Sequence, residues 1–271
     1  MRQREHLKNL LVQRGLAQSS SEAERLIIAA QVQVDGSTVC QAGMLVRADA
    51  LIHIKESKKY VSRGGYKLEG ALRDFAFEPG GLNCIDAGAS SGGFTDCLLK
   101  HGAAQVTAVD VGYGQFDWTL RGDSRVKLFE RTNIALVDPA CLGAPFALMV
   151  VDLSFTSLSR LAPQLACLLE SNGNGFVLVK PQFELPKECV KDGVVHSFDL
   201  HVQALAEVAQ SFENNGLAVR GLSFSCLLGP KGNTEFWIWA VKSSSTATIK
   251  REDIMETVCR AHEELLDQCQ N

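Results

Sequence analysis

Four charged residues lie where a parallel α/β sheet would collect reactive groups. Asp152 and Lys180 each follow a strongly apolar run, and Glu235 begins a later one. Lys67 lies beside the apolar stripe of a predicted helix. In open sheets of this kind, ligands bind beyond the carboxyl ends of the strands. We therefore expect the four residues to converge at one sheet edge, although ordinary strand-end ion pairs would show the same pattern.

A glycine-rich turn supplies a candidate cofactor site. Residues 86–94 read Asp-Ala-Gly-Ala-Ser-Ser-Gly-Gly-Phe between a predicted strand and a predicted helix. Glycines let the backbone approach a ligand closely, and a helix N-terminus offers unpaired N–H groups to an anion. The spacing Gly-x-x-x-Gly-Gly is not the dinucleotide fingerprint, which disfavours a nucleotide-dependent oxidoreductase on the same sheet. The predicted cofactor residues in this turn are Asp86, Gly88, Ser90, Gly92, Gly93 and Phe94.

Two further polar residues extend this candidate site. Asp110 ends the second predicted strand, where a carboxylate can accept hydrogen bonds from both ribose hydroxyls. Asn133 follows the third strand and is placed to hold the edge of an adenine. Asp86, just before the first glycine, suits a cationic amine. S-adenosylmethionine has an amine, a carboxylate and a ribose but no phosphate, so we predict it as the cofactor. The alternative is that residues 86–94 form a generic glycine-rich turn with solvated acids and bind no cofactor.

The two lysines and two carboxylates suit a methyl transfer to a hydroxyl. A neighbouring ammonium lowers a lysine pKa, whereas carboxylates raise it and hold the side chain in place. A lysine tuned in this way can steer a hydroxyl or remove its proton. The nucleophile, methyl carbon and sulfur must also lie in line, so orientation supplies much of the rate.

Apolar runs and helical stretches alternate from residue 82 onward. This pattern predicts an α/β fold with a mostly parallel, Rossmann-like sheet and right-handed crossovers, which is compatible with the methyltransferase predicted from the cofactor turn. The predicted parallel strands are Leu82–Ala87, Val106–Val111, Val126–Phe129, Ala147–Val151 and Phe176–Val179. The runs Ala218–Cys226 and Glu235–Val241 flank a hairpin loop at Gly229–Asn233, so the last strand should be antiparallel.

A small α/β module precedes this sheet, over residues 1–58. Ser21 and Glu24 form a capping-box pattern at a second helix, and Asp35-Gly36 predicts a hairpin turn. Residues 1–73 carry 12 Lys and Arg against 7 Asp and Glu, a net charge of +5, and the remainder carries −9. A basic N-terminal part followed by an acidic remainder favours an anionic partner that binds at the N-terminal end. An ordinary solvated surface would show the same distribution of charge.

The remaining divisions follow from composition. We predict an interdomain linker at 59–65, a catalytic domain at 66–242, and a polar linker with a C-terminal helix at 243–271. The interdomain linker is predicted to couple docking of the anionic partner to the cofactor site, the alternative being a passive linker. No apolar run approaches the roughly 20 residues that span a bilayer, and Met1–His6 lacks a secretory core. Nine cysteines without a Cys-x-x-Cys pair are predicted to be reduced and buried in a cytoplasmic protein without a metal site.

The chain resembles the TlyA group of ribosomal RNA 2′-O-methyltransferases, historically labelled haemolysin-like, over roughly residues 1–242. The motifs that carry the resemblance are Leu10–Ala17, Val61–Leu68, Asp86–Phe94, Val151–Phe155, Lys180–Glu184 and Gly232–Glu235. The resemblance implies an FtsJ-type Lys-Asp-Lys-Glu tetrad at Lys67, Asp152, Lys180 and Glu235. It also implies an N-terminal RNA-binding domain of the ribosomal-protein S4 type. Glu5-His6-Leu7 and Ala29–Val32 depart from the family pattern in that domain.

The resemblance implies that the basic residues at the N-terminal end of the chain bind RNA. The predicted RNA contacts are Arg4, Lys8, Arg14, Arg25 and Arg63. The expected partner is ribosomal RNA or a ribosomal subunit, with no membrane and no obligate protein partner. Two other hypotheses stay open: a haemolysin-like, membrane-acting protein, and an RNA-binding protein whose methyltransferase fold is inactive.

Overall fold

A computed structural model describes residues 4–55, 59–243 and 249–266. Parts of the predicted divisions lie outside these residues: 1–3 and 56–58 of the N-terminal module, and 244–248 and 267–271 of the polar linker and C-terminal helix. The chain divides into two compact units, Met1–Lys59 and Tyr60–Asn271.

The N-terminal unit packs two helices against short antiparallel strands. Its elements are β1 (Arg4–His6), α1 (Leu7–Gln13), α2 (Ser20–Ile28), β2 (Val32–Val34), β3 (Ser37–Val39), β4 (Leu45–Arg47) and β5 (Ile52–Ile54). The strands pair as β1–β4 and as β3–β2–β5. Leu7, Leu11 and Ile27 are fully buried between the helices and the strands. The predicted hairpin is confirmed, because Val34 pairs with Ser37 and both turn residues have positive φ.

The second helix begins two residues earlier than predicted. The cap is Ser19, whose hydroxyl accepts a hydrogen bond from the Glu22 N–H at 3.2 Å. The Glu22 carboxylate in turn accepts from the Gln18 N–H at 2.6 Å. The prediction of Ser21 and Glu24 was therefore wrong in register, since consecutive serines offer several equivalent capping patterns.

The second unit contains a seven-stranded sheet between two helical layers. Its elements up to β9 are α3 (Arg63–Asp74), β6 (Asn83–Ala87), α4 (Gly93–Lys100), β7 (Gln105–Val109), α5 (Trp118–Arg121), β8 (Val126–Phe129), α6 (Pro139–Leu142) and β9 (Phe146–Val151). They continue with α7 (Leu158–Leu168), β10 (Leu169–Val179), α8 (Pro181–Glu184), α9 (Phe198–Asn214), β11 (Leu217–Phe224), β12 (Phe236–Lys242) and α10 (Arg251–Leu266). Buried side chains of α3 and α4 fill one face, and those of α7, α9 and α10 fill the other.

The strand order β11-β12-β10-β9-β6-β7-β8 confirms the predicted mostly parallel α/β sheet. β12 runs antiparallel to both β10 and β11, as the hairpin loop predicts. It begins at Phe236 and not at Glu235, which lies one residue before the strand. Val179 pairs with Phe236 and Val177 with Val151, so the ends of β9 and β10 and the start of β12 share one edge.

The prediction of buried cysteines was wrong for most of them. Among the described residues, Cys84 and Cys97 are buried, whereas Cys189 and Cys226 are partly exposed. Four others are exposed, on outward helix faces or after a strand: Cys40, Cys141, Cys167 and Cys259. All eight are free thiols. An apolar neighbourhood in sequence did not indicate which face of an element each cysteine occupies.

Candidate active site

The glycine-rich turn lies between β6 and α4 and packs closely on the end of β9. Gly88 has φ +90°, and a Cβ there would lie 2.3 Å from the Asp152 carbonyl oxygen. Gly92 also has φ +90°, and α4 begins at the next residue. Only glycine fits both the conformation and the approach. The turn is therefore held directly against the strand end that carries Asp152.

Asp110 organises a cavity of about 630 Å³ beside this turn. Its carboxylate accepts hydrogen bonds from the Ser90 N–H at 2.8 Å and from the Gly112 N–H at 2.6 Å. A carboxylate has about four acceptor positions, so acceptor capacity remains for a ribose. Asn133 lines the same cavity, and its Oδ1 accepts from the Ala135 N–H at 2.9 Å. The predicted adenosine-binding residues thus line one cavity of a size typical of ligand sites.

Asp86 lies fully buried beneath the turn. Its Oδ2 accepts a hydrogen bond from the Thr95 hydroxyl at 2.6 Å, and its Oδ1 has no partner among the described residues. Burial raises the pKa of the Asp86 carboxyl to about 7, against the lowering effect of Thr95. Asp110 and Asp152 raise it further, so three carboxylates share a negative region.

Gly93 packs against the predicted linker, and Phe94 packs against β12. A Cβ at Gly93 would lie 2.2 Å from the Ser62 hydroxyl oxygen. The Phe94 ring is buried, with its centroid 5.5 Å from the Trp237 ring. Both residues line a second cavity of about 330 Å³, which shares Gly88, Ser90 and Asp152 with the first. The two cavities together follow the turn from Asp110 to Lys67.

The structure brings the four charged residues together as two ion pairs. Lys67 Nζ lies 2.5 Å from Glu235 Oε2, and Lys180 Nζ lies 2.5 Å from Asp152 Oδ1. Lys67, Lys180 and Glu235 are buried, while the Asp152 side chain is 23% exposed. Burial raises the pKa of the Glu235 carboxyl, and the Lys67 ammonium opposes that rise. Asp152 and Lys180 also act on this pKa, so the two pairs form one electrostatic cluster.

The predicted RNA contacts occupy different settings. Arg4 and Arg25 are exposed and Lys8 is half-buried, all in the N-terminal unit. Arg14 is exposed, but its guanidinium donates hydrogen bonds of 2.7 Å to both the Ala48 and Ala50 carbonyls. These bonds tie α1 to the segment before β5, which gives Arg14 a structural role.

Arg63 belongs to the second unit and lines the 330 Å³ cavity. Its guanidinium donates to the Leu228 carbonyl at 2.9 Å. It therefore lies beside the candidate active site of the second unit, whereas the other four predicted contacts belong to the N-terminal unit.

Three residues near the site were missed from the sequence. Ser154 accepts a hydrogen bond from Lys180 Nζ at 2.9 Å. Phe155 is 90% exposed and has φ +62°, which is rare for an aromatic residue. The Glu184 carboxylate accepts from the Leu158 N–H at 2.7 Å and from the Ser157 hydroxyl at 2.8 Å. An aromatic residue directly after a predicted strand end was the available signal for Phe155.

Comparisons with known proteins match both units. A model of FtsJ-like methyltransferases matches residues 60–242, and an S4 domain model matches residues 7–52. The 16S/23S rRNA (cytidine-2'-O)-methyltransferase TlyA of Mycobacterium tuberculosis is 41% identical over 254 residues, covering 93% of this chain and 94% of the relative. Hemolysin A of Brachyspira hyodysenteriae is 35% identical over 224 residues, covering 82% and 93%. A solved Streptococcus thermophilus structure with a hemolysin name has a TM-score of 0.77 and 34% identity, covering 100% of both chains.

Proposed function

The chain belongs to the FtsJ-like methyltransferase family and, within it, to the TlyA group that its motifs resemble, and from this premise we propose that it methylates a ribose 2′-oxygen of ribosomal RNA. The observation that carries the proposal is the two ion pairs at the edge of the sheet, in which three of the four side chains are buried. Lys67, Asp152, Lys180 and Glu235 lie next to a glycine-rich turn and its ribose-binding carboxylate.

The residues fit S-adenosylmethionine as the cofactor. The unpartnered Oδ1 of Asp86, together with Asp110 and Asp152, makes a negative environment that suits an ammonium and a sulfonium. Asp110 would hold the ribose, Asn133 the adenine edge, and the N-terminal turn of α4 the carboxylate. When bound, S-adenosylmethionine supplies an electrophilic methyl carbon on a sulfonium.

Lys180 is placed to act on the attacking hydroxyl. Its Nζ donates to the Ser154 hydroxyl and forms an ion pair with Asp152, a residue that lines both cavities, so a further N–H donor is available to the substrate. As the ammonium it orients the ribose hydroxyl. After releasing one proton to water, Lys180 as the neutral amine would accept the hydroxyl proton while the ribose oxygen attacks. Lys67 and Glu235 hold the neighbouring charges in place, so Lys180 does not need to reorganise during the reaction.

The N-terminal unit supplies RNA docking through Arg4, Lys8 and Arg25, and Arg63 contacts RNA at the catalytic unit. We retain residues 1–58, 59–65, 66–242 and 243–271 as the proposed domain division. Ribosomal RNA as substrate places the protein in the cytoplasm.

Phe155, exposed at the mouth of the 630 Å³ cavity, is placed to stack on the base of the target nucleotide.

A membrane-acting haemolysin is the competing function, because two similar proteins carry that name. No helix in the described part of the chain is both long enough and apolar enough to span a bilayer. The buried lysine–carboxylate cluster has no role in membrane lysis. Both observations favour the methyltransferase.

The test is transfer of labelled methyl from S-adenosylmethionine to isolated ribosomal subunits, followed by mapping of the modified nucleotide. We expect a single 2′-O-methylated ribose, abolished in Lys180→Ala and Asp152→Ala. Calorimetry should show binding of S-adenosylmethionine and none of NAD. Lysis of liposomes without any methyl transfer would support the haemolysin instead.

A further inference from the structure

A groove lies in the catalytic unit next to the cofactor cavity. It is bounded by the loop after β9, by α8 and by the first turns of α9, and its volume is about 580 Å³. We call it the α9 groove, and its characteristic residues are Phe155, Arg160, Phe183, Gln203 and Glu207. Phe155 lines both this groove and the 630 Å³ cavity, so the groove continues directly from the site of methyl transfer.

Two aromatic rings form one wall of the α9 groove. The centroids of Phe155 and Phe183 are 5.1 Å apart, with their planes inclined by 48°. Phe155 keeps a left-handed backbone while its ring is almost entirely exposed to solvent. Such a conformation persists when the surrounding structure imposes it, and it is concentrated at ligand sites. The wall therefore presents aromatic faces to a planar ligand.

A second part of the lining, the polar wall, carries both donors and acceptors. Gln203 and Glu207 lie one turn apart on α9, and Gln203 Nε2 donates to Glu207 Oε1 at 2.8 Å. Arg160 on α7 is exposed and makes no hydrogen bond or ion pair with the described residues. A guanidinium, an amide and a carboxylate match the donors and acceptors on the edge of a nucleobase.

The charges of the groove select a base over a phosphate. Arg160 is the one cation among its lining residues, whereas Glu184 and Glu207 are carboxylates. Glu184 is engaged with the N-terminus of α7, which fixes the loop that carries Phe155. With one cation against two carboxylates, the lining carries a net negative charge that disfavours a phosphate, whereas a neutral heteroaromatic ring is not repelled.

We propose that the α9 groove binds the base of a nucleotide that flanks the methylated one, stacked on Phe183 and read at its edge by Arg160, Gln203 and Glu207. This inference rests on the proposed function, because it needs an RNA target in the neighbouring cavity. It makes the groove a specificity determinant for the sequence around the target.

The experiment is a thermodynamic cycle between protein and RNA. An RNA fragment carrying the mapped target is prepared intact, or with an abasic nucleotide immediately before or after the target. The RNA concentration that gives half the maximal single-turnover rate is measured for wild type and for Phe183→Ala. Stacking on an aromatic side chain corresponds to about a 5- to 140-fold change, so one abasic position should raise this concentration by that factor in the wild type. In Phe183→Ala the same abasic change should have almost no further effect.

Two other variants complete the design. The double variant Gln203→Ala, Glu207→Gln changes the polar wall without touching the aromatic pair, and it should alter which flanking base is preferred. Gln210→Ala, on the same helix but outside the groove, should behave as wild type. The groove proposal is wrong if two results are found together. The first is that each abasic position raises the half-maximal RNA concentration by the same factor in Phe183→Ala as in wild type. The second is that the double variant keeps the wild-type preference for the flanking base. If the wild type transfers no methyl group to any RNA, the proposed function itself has failed.

Discussion

Replacing Lys180 by alanine should nearly abolish methyl transfer while leaving the cofactor site intact. The substitution removes the ammonium that lies 2.5 Å from Asp152 and 2.9 Å from Ser154. A ribose hydroxyl is a poor nucleophile at neutral pH, so losing the group that orients it and accepts its proton should reduce the rate by roughly 10²–10⁴-fold. That reduction corresponds to about 3–5 kcal/mol of barrier.

The structure also limits the expected damage to the fold. Asp152, left without its partner, is 23% exposed and can be solvated. The Lys67–Glu235 pair is in place independently, with its own 2.5 Å contact. The Asp110 cavity does not include Lys180 among its lining residues. S-adenosylmethionine affinity should therefore change much less than turnover.

The assay is single-turnover transfer of labelled methyl to ribosomal subunits with saturating S-adenosylmethionine, combined with calorimetry of cofactor binding. Lys180→Arg should not restore activity, because a guanidinium stays protonated and has a different shape. Lys250→Ala, which removes an exposed lysine before α10, is the matched control and should retain the wild-type rate. A near-normal rate in Lys180→Ala would refute the reasoning and leave Lys180 as a structural ion-pair partner.

Three further predictions address the rest of the chain. Replacing Arg4, Lys8 and Arg25 together by alanine should weaken RNA binding and leave cofactor affinity unchanged. The slope of log binding constant against log salt concentration should fall by roughly 0.7–0.9 for each lost phosphate contact. An unaltered slope would mean that these charges are only solvated surface. Val61→Ala shortens a partly buried side chain of the predicted linker that packs against the core between the sheet and helices α3 and α4, and it should lower turnover or cofactor affinity without unfolding. No change in either would make the linker passive. Burial lowers the pKa of His201 to about 4, so its contribution to stability is present above pH 6.5 and is lost as the pH falls through about 4. In urea unfolding, the wild type is expected to lose about 3 kcal/mol more stability than His201→Gln between pH 6.5 and pH 4. Equal pH dependence in both proteins would contradict that assignment.

The sequence predicted the strand-end residues well because strand ends carry a local signal. Asp152 and Lys180 each interrupt a long apolar run, and the hairpin before Glu235 indicates the direction of the last strand. Distances within the cluster could not be predicted, since they depend on the register of strands far apart in the chain. The role of Arg14 was missed for the same reason, because its carbonyl partners at Ala48 and Ala50 are more than 30 residues away.

Glu184 shows another limit of sequence reasoning. It belongs to a recognised motif, yet its partners lie at the start of α7, 26 residues earlier for Leu158. A carboxylate after a short helix carries no local sign that it caps a different helix. The shifted cap of α2 and the exposed cysteines are similar cases, because neighbouring positions had nearly equal local preference and tertiary packing chose among them.

The 168-residue separation of Lys67 and Glu235 has a consequence during protein synthesis. The N-terminal unit is complete once residue 59 has left the ribosome, whereas the Lys67–Glu235 pair cannot form until β12 is made. At about 5–20 residues per second, the interval is roughly 10–35 s. During that time the nascent chain carries its basic, RNA-binding unit without a finished catalytic centre. An unfinished chain can thus hold RNA before it is able to modify it, and activity arises only when the last strand of the sheet inserts between β10 and β11.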